Sequence, residues 1–225
     1  MELVRVDTQR AYDIIWDKIT TCELAPGATM DPGQLAEELG MGLMSVREAI
    51  WWLAHENLVL AAPGQGLYVA EVRLPDLEHL HELRLPLESL AARLAAQRAA
   101  PDDLVVLETL RAEQARTPPE DRPRLLDLDH KFHQAVTRAA RNTYLFQNLE
   151  HLFGLVRRLW YLTLPQLSFL PTAVEQHLAL VEAIRAGNAD GAEQIMRGHV
   201  QDFYGKMREI LIANANPGGR LGGAN

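Results

Sequence analysis

From Pro75 to about Ala213 the apolar residues recur every three or four positions in one segment after another. The pattern breaks at Pro101, Pro118-Pro119, Leu164-Pro165, Leu170-Pro171 and Gly187-Asn188. Proline and glycine at these places stop helices rather than bend strands. The segment is therefore expected to fold as an all-helical antiparallel bundle spanning 74–213, of roughly six helices. Residues 214–225, with Pro217-Gly218-Gly219 and Gly222-Gly223, carry too little apolar surface to pack and are read as a disordered tail.

Residues 1–73 follow a different pattern. Their elements are short and punctuated by Pro26-Gly27, Pro32-Gly33, Gly40, Gly42 and Pro63-Gly64-Gln65-Gly66. Ala11, Ile14, Ile15 and Ile19 recur at helical spacing, giving a first helix that ends near Cys22. Asp31 caps a second helix with Pro32 in its first turn, and Gly40 ends it. A third is expected from Ser45 to Glu56, with Val46, Ala49, Ile50 and Leu53 on one face. Leu58-Val59-Leu60 and Leu67-Tyr68-Val69 then flank the Gly-rich turn as a two-stranded hairpin. Two helices around a tight turn, followed by a hairpin, make a winged helix-turn-helix, so the fold class is mainly α with a winged head before the bundle.

Charge bears on what such a head can bind. The chain is formally -8, so no overall positive field draws it to nucleic acid or to an anionic membrane. Within 1–73 the basic residues are Arg5, Arg10, Lys18, Arg47 and Arg73, against 11 acidic ones. Phosphate neutralisation supplies most non-specific DNA affinity, so this head is expected to bind weakly or to need two copies acting together. The single cysteine, Cys22, provides neither an internal disulfide nor a thiolate cluster, which fits a reducing cytoplasm. Charges interrupt the N-terminus and every later apolar run, so neither a signal peptide nor a membrane span is expected.

Four residues of the bundle stand out by spacing. Asp129 and His133 are four apart and share one helix face with Leu125, Leu126, Phe132 and Val136. Polar groups on an apolar stripe must be paired or ligated, because leaving each unsatisfied costs about 2 kcal/mol or more. His177 lies among Val174, Leu178, Val181 and Ile184, and His199 among Ile195, Met196, Val200, Phe203 and Met207. His177 is ten residues before Gly187 and His199 eleven after Asn188. In an antiparallel helix pair rising about 1.5 Å per residue the two come level. One carboxylate and three imidazoles suit zinc, nickel, manganese or iron. A lone inward histidine is more often a hydrogen-bonded core residue, and His55, His79, His81, His130 and His151 fall outside the set.

The order of words Leu24-Ala25-Pro26-Gly27, Leu35-Ala36-Glu37-Glu38-Leu39-Gly40, Val46-Arg47-Glu48-Ala49-Ile50 and Gly64-Gln65-Gly66 resembles the GntR family of bacterial transcription regulators. The bundle resembles that of the FadR-like branch, which carries an FCD effector-binding domain. This resemblance implies a homodimer that binds double-stranded operator DNA, with Arg47, Ser45 and Gly66 at the DNA. It also implies that Asp129, His133, His177 and His199 hold a divalent metal, zinc foremost, with a small carboxylate effector completing the site. Arg84 matches a family arginine facing the effector cavity, and Pro86 beside it predicts a kink or a late start to that helix. Asn142 matches a family Gly-Asn position, or caps the next helix. The chain departs from the pattern at Leu43, where a base-reading arginine is usual, at Trp51-Trp52, and at Gln65 on the wing. Trp51 and Trp52 point about 100° apart, so one is expected in the core and the other at a surface. Arg47 could instead pair with Glu38 or Glu48, and Arg157 and Arg158 could face the cavity or the surface.

The resemblance implies no catalysis. Two other readings follow from the residues: a diverged metal sensor with little or no DNA binding, and a metal-dependent hydrolase. The second lacks an obvious general base beside the four ligands.

Overall fold

The computed structural model describes residues 2–62, 64, 66–166, 170–214 and 220–221, and its contacts divide them into two units. The first unit holds the N-terminal segment through Arg73, with 157–162 and the strand at 220–221. The second holds the remaining helical segments from Leu74 onward.

In the first unit α1 (Glu2–Thr20) buries Ala11, Ile15 and Ile19, and Cys22, at φ 60°, turns the chain out of it. α2 (Pro32–Leu39) is capped as its sequence requires: Gln34 N donates to Asp31 Oδ1 at 2.9 Å, and Gly40 closes the helix at φ 62°. α3 (Leu43–His55) starts two residues earlier than the expected Ser45, with Gly42 at its N-cap. Its inner face is Ser45, Val46, Ala49, Ile50 and Leu53.

The expected hairpin gains a third strand. β1 (Thr29–Met30), β2 (Val59–Ala62) and β3 (Gly66–Val69) form an antiparallel sheet in the order β1-β3-β2, with Thr29 opposite Tyr68 and Leu60 opposite Tyr68 from the other side. A two-residue strand carries too little pattern to be read from sequence. Pro63 and Gln65, at the expected wing tip, lie outside the described residues. β4 (Val72–Arg73) pairs with β5 (Arg220–Leu221).

The second unit is built from α4 (Leu74–Arg98), α5 (Pro101–Arg116), α6 (Arg122–Ala139), α7 (Thr143–Thr163), a 3₁₀ turn at Leu164–Gln166, α8 (Leu170–Arg185) and α9 (Ala189–Asn214). Residues 157–162 of α7 group with the first unit. The helix starts are set by side chains: Asp121 Oδ1 accepts from Arg124 N, and Asn142 Oδ1 from Leu145 N. Gly187, at φ 66°, turns α8 into α9.

Phe132 and Val136 of α6, Leu180, Val181 and Ile184 of α8, and Met196 and Val200 of α9 meet in one core. Ala92, Ala95, Ala139 and Ala192 are fully buried among them and let the helices approach closely. Leu178, expected inward, is instead 42% exposed, and Leu180 takes the buried place.

Two expectations change here. Pro86 neither ends nor delays its helix: α4 runs unbroken from Leu74, and Ser89 Oγ bonds Leu85 O at 2.6 Å just beyond the proline. Packing of the buried positions Arg84, Glu88, Ser89, Ala91 and Ala92 outweighs the one backbone bond that proline forfeits. The tail also differs from a disordered segment beginning at Asn214. Asn214 belongs to α9 and 220–221 to β5, where backbone pairing needs no apolar side chain, while 215–219 and 222–225 lie outside the described residues. Among the described residues no helix is long and apolar enough to cross a membrane.

Candidate functional site

The four residues singled out by spacing converge. Asp129 and His133 project from α6, His177 from α8 and His199 from α9, all are buried, and one donor atom from each lies within 4.8 Å of the others. His133 Nε2 is 3.1 Å from His199 Nε2, and His177 Nε2 is 3.4 Å from the same atom. Asp129 closes the set, with Oδ1 3.5 Å from His177 Nε2 and Oδ2 3.8 Å from His133 Nε2. Four ligands held about 2.0–2.1 Å from a tetrahedral ion would stand roughly 3.3 Å apart, so these separations fit a first-row divalent metal.

The outer nitrogens explain why the inner ones face each other. His133 Nδ1 donates to Glu88 Oε2 at 2.5 Å, His177 Nδ1 to Gln114 Oε1 at 3.0 Å, and His199 Nδ1 to Gln176 Oε1 at 2.9 Å. A neutral imidazole has one N–H, and each ring has an oxygen to take it outward, so with all three rings neutral their Nε2 lone pairs point at one space. Lone pairs gathered in this way repel unless a metal ion lies between them or a proton on His133 Nε2 is shared with His199 Nε2 at 3.1 Å. Oxygen acceptors behind ligating imidazoles also fix the tautomer and increase ligand basicity. Ring packing sets the aim: His177 stacks on Phe132 at 4.0 Å, and His133 meets the edge of Phe153 at 5.7 Å.

Glu88, Gln114 and Gln176 were not among the expected site residues. Glu88 is 1% exposed and also accepts from Arg84 Nε at 2.7 Å, while the Arg84 guanidinium lies over the Phe153 ring at 5.2 Å. The four-residue spacing of Arg84 and Glu88 on one helix is the signal that could have found the glutamate. Arg84 thus reaches the site through Glu88. Asn142 is the N-cap of α7, its side-chain oxygen 3.1 Å from Leu145 N. A recess of only about 10 Å³, lined by Ala173, Gln176, His199 and Lys206 among others, leads to His199 and holds about one water.

Burial tends to raise the Glu88 carboxyl, yet Arg84 and His133 overcome it and hold it down near 2. Burial would lower His133, but Glu88 and Asp129 raise it instead. His177 is lowered by burial and by its two neighbouring imidazoles, and burial, with His133 beside it, takes His199 down to about 3. Burial raises Asp129. Two of the three imidazoles therefore stay neutral and ready to ligate in mild acid.

Below the ordinary histidine value of 6.5 the unfolded chain protonates His177 and His199 while the native chain does not. Metal-free protein should lose stability as pH falls from 6.5 toward 3, and Glu88 adds to the loss between 4.5 and 2. His133 and Asp129, both raised in the native chain, work in the opposite direction. Each proton taken up only by the unfolded chain gives a slope of about 1.4 kcal/mol per pH unit. Urea melts of chelator-treated protein at neutral pH and in mild acid check this; equal stability at both would contradict it.

At the reading head Arg47 is exposed and, among the described residues, forms no ion pair with Glu38 or Glu48; Glu48 instead accepts from Thr8 Oγ1 at 3.1 Å. Ser45 is only 6% exposed, because α3 begins at Leu43 and its register turns Ser45 inward, so the expected contact at Ser45 is corrected. Gly66 is exposed on β3 at φ 104°, a conformation that favours glycine. Trp51 is 66% exposed, while Trp52 is half-buried with its ring 6.0 Å from Tyr12. Within the first unit Arg157 bonds Asp17 and Thr20 and Arg158 bonds Ala70 O, so both arginines are buried rather than facing the cavity or solvent.

Comparison with known proteins gives two family matches. Residues 79–202 match the FCD domain, and residues 7–69 match the bacterial regulatory proteins of the gntR family. The HTH-type transcriptional repressor RspR of Escherichia coli K12 is 25% identical over 209 residues, covering 92% of each chain. The HTH-type transcriptional regulator McbR of the same organism is 29% identical over 196 residues, covering 80% of this chain and 85% of its own. The solved structure of E. coli McbR/YncC superposes with a TM-score of 0.79 at 22% identity, covering 90% of this chain and 97% of that one, which is a likeness of fold.

Proposed function

Because the chain belongs to the FCD-domain transcription regulators with a gntR-type head, we propose that it is a homodimeric, metal-loaded regulator whose helical domain adjusts its grip on operator DNA. Regulators of this kind are ligand-responsive DNA-binding proteins rather than enzymes. The assigned ligands are Asp129, His133, His177 and His199, and the ion is zinc. The observation that carries this reading is the arrangement of three imidazoles whose Nδ1 protons are all spent outward while their Nε2 atoms face Asp129 and one another. When bound, the ion offers a Lewis-acidic position for a carboxylate effector.

The protein's own residues do the rest. Glu88 holds the His133 ring and is itself fixed by Arg84, so a change at the metal is transmitted to α4. Gln176 stands at the recess beside His199 and holds its Nδ1 proton, and a small acid entering there would have to widen it. Coupling of effector to DNA requires only that the acid bind one arrangement of the domain better than the other. The domains assigned are a head at 1–73 and a metal- and effector-binding domain from 74 to the end of α9.

The test is fluorescence anisotropy of the full chain on duplexes enriched from a random-sequence pool, with and without zinc. The reading predicts specific binding that zinc changes, and a loss of roughly tenfold or more in Arg47→Ala. Binding indifferent to both zinc and Arg47 would overturn it. With few basic residues on the head, the salt dependence should be shallow, each phosphate contact contributing a slope of about -0.9.

A further inference from the structure

The first turn of α3 presents two large apolar side chains to solvent. Leu43 is 41% and Met44 is 72% exposed. They are not core residues left uncovered, since the inner face of the same helix is complete in Ser45, Val46, Ala49, Ile50 and Leu53. Further along α3, a groove of about 300 Å³ is lined by Arg47, Trp51, Ala61 and Leu67 among others. In a helix-turn-helix the N-terminal residues of the second helix face the base edges of the major groove. The residues that take guanine or adenine by two hydrogen bonds are Arg, Lys, Asn and Gln, and in the first two turns of α3 only Arg47 is of that kind.

The major groove offers one apolar group to such a surface, the 5-methyl of thymine. We infer that Leu43 and Met44 read thymine through its 5-methyl group, so that this head selects operator positions by apolar contact, with Arg47 as its polar anchor. The inference rests on the reading that the head binds DNA. It also accounts for a head so poor in cations: discrimination by buried methyl groups needs no added charge, and each methyl removed from water is worth about fourfold in affinity.

The experiment uses the full chain and a duplex enriched from a random-sequence pool at low salt, made once with thymine and once with deoxyuridine at every thymine position. The wild-type protein should bind the thymine duplex at least about fourfold more tightly. The Leu43→Ala, Met44→Ala double variant should bind both duplexes alike. Its substitutions are at the surface, so its fold should persist, which circular dichroism checks. Equal wild-type affinity for the two duplexes overturns the inference and leaves DNA binding standing. A thymine preference that survives in the double variant also overturns it, because the methyl groups are then read elsewhere. If no duplex is enriched, both the inference and the reading beneath it fail.

Discussion

Zinc added to chelator-treated protein, at a thousand times its dissociation constant, should raise the melting temperature of the helical domain by about 8–16 °C. An ion that binds only the native chain at that excess contributes about 4 kcal/mol, and each kcal/mol shifts a domain of this size by about 2–4 °C. The proposed ligands come from α6, α8 and α9 and meet only in the packed core, so an ion bound there would find no equivalent site in the unfolded chain. Differential scanning calorimetry measures the shift. Asp129→Asn, which keeps the side-chain volume and removes the charge, should lose most of it, and His177→Ala all of it. A shift of equal size in His177→Ala would place the ion elsewhere.

The second large effect is at Glu88. Glu88→Ala removes the partner of a buried guanidinium and the acceptor of His133 in one change. Breaking a buried pair from one side costs about 3–5 kcal/mol, because the remaining charge stays out of water without its closest counter-charge. Urea unfolding of the metal-free protein should show that loss. Zinc affinity, measured separately by competition with a chromophoric chelator, should fall about 10- to 100-fold, as when an oxygen behind a ligating imidazole is lost. Glu88→Gln keeps an oxygen for His133 Nδ1 and should recover part of the affinity while removing the carboxylate that pairs with Arg84 Nε. Arg84→Met combined with Glu88→Gln should restore much of the stability. If Glu88→Ala changed neither quantity, the Arg84–Glu88–His133 chain would have no part in the site.

Much of the bundle is written locally. Proline and glycine mark the helix ends, so the breaks at Pro101, Pro165 and Gly187 could be placed without a fold, and the count from His177 to Gly187 and from Asn188 to His199 brings two rings level. Asp129 and His133 are visible as a polar pair on an apolar stripe. The acceptors behind the rings are not local: Glu88 is 45 residues from His133 and Gln114 is 63 from His177. Which glutamine faces which histidine depends on helix packing, and Gln176, adjacent in sequence to His177, turns to His199 instead.

The start of α3 shows the opposite limit. An N-cap at Gly42 without a side-chain bond leaves little sequence signal, and moving the start to Leu43 turns Ser45 into the core and leaves Leu43 and Met44 outside. Pro86 shows that a strong local rule can be outweighed, since the buried positions around Arg84 and Glu88 keep α4 continuous through it.

The acidity of the head remains the feature that any DNA-binding account must meet. It falls on a unit whose reading helix exposes apolar rather than cationic side chains at its leading end. If two heads bind together and thymine methyl groups are read as inferred, the wild-type preference for thymine over deoxyuridine duplexes should persist as salt is raised.

The most direct measurement is the metal content of the purified full chain by native mass spectrometry, with Asp129→Ala, His133→Ala as the control. The account predicts one divalent ion per chain in the wild type and none in the double variant. A wild-type chain that carries no metal and takes up none on titration with zinc, nickel, manganese or iron would contradict it.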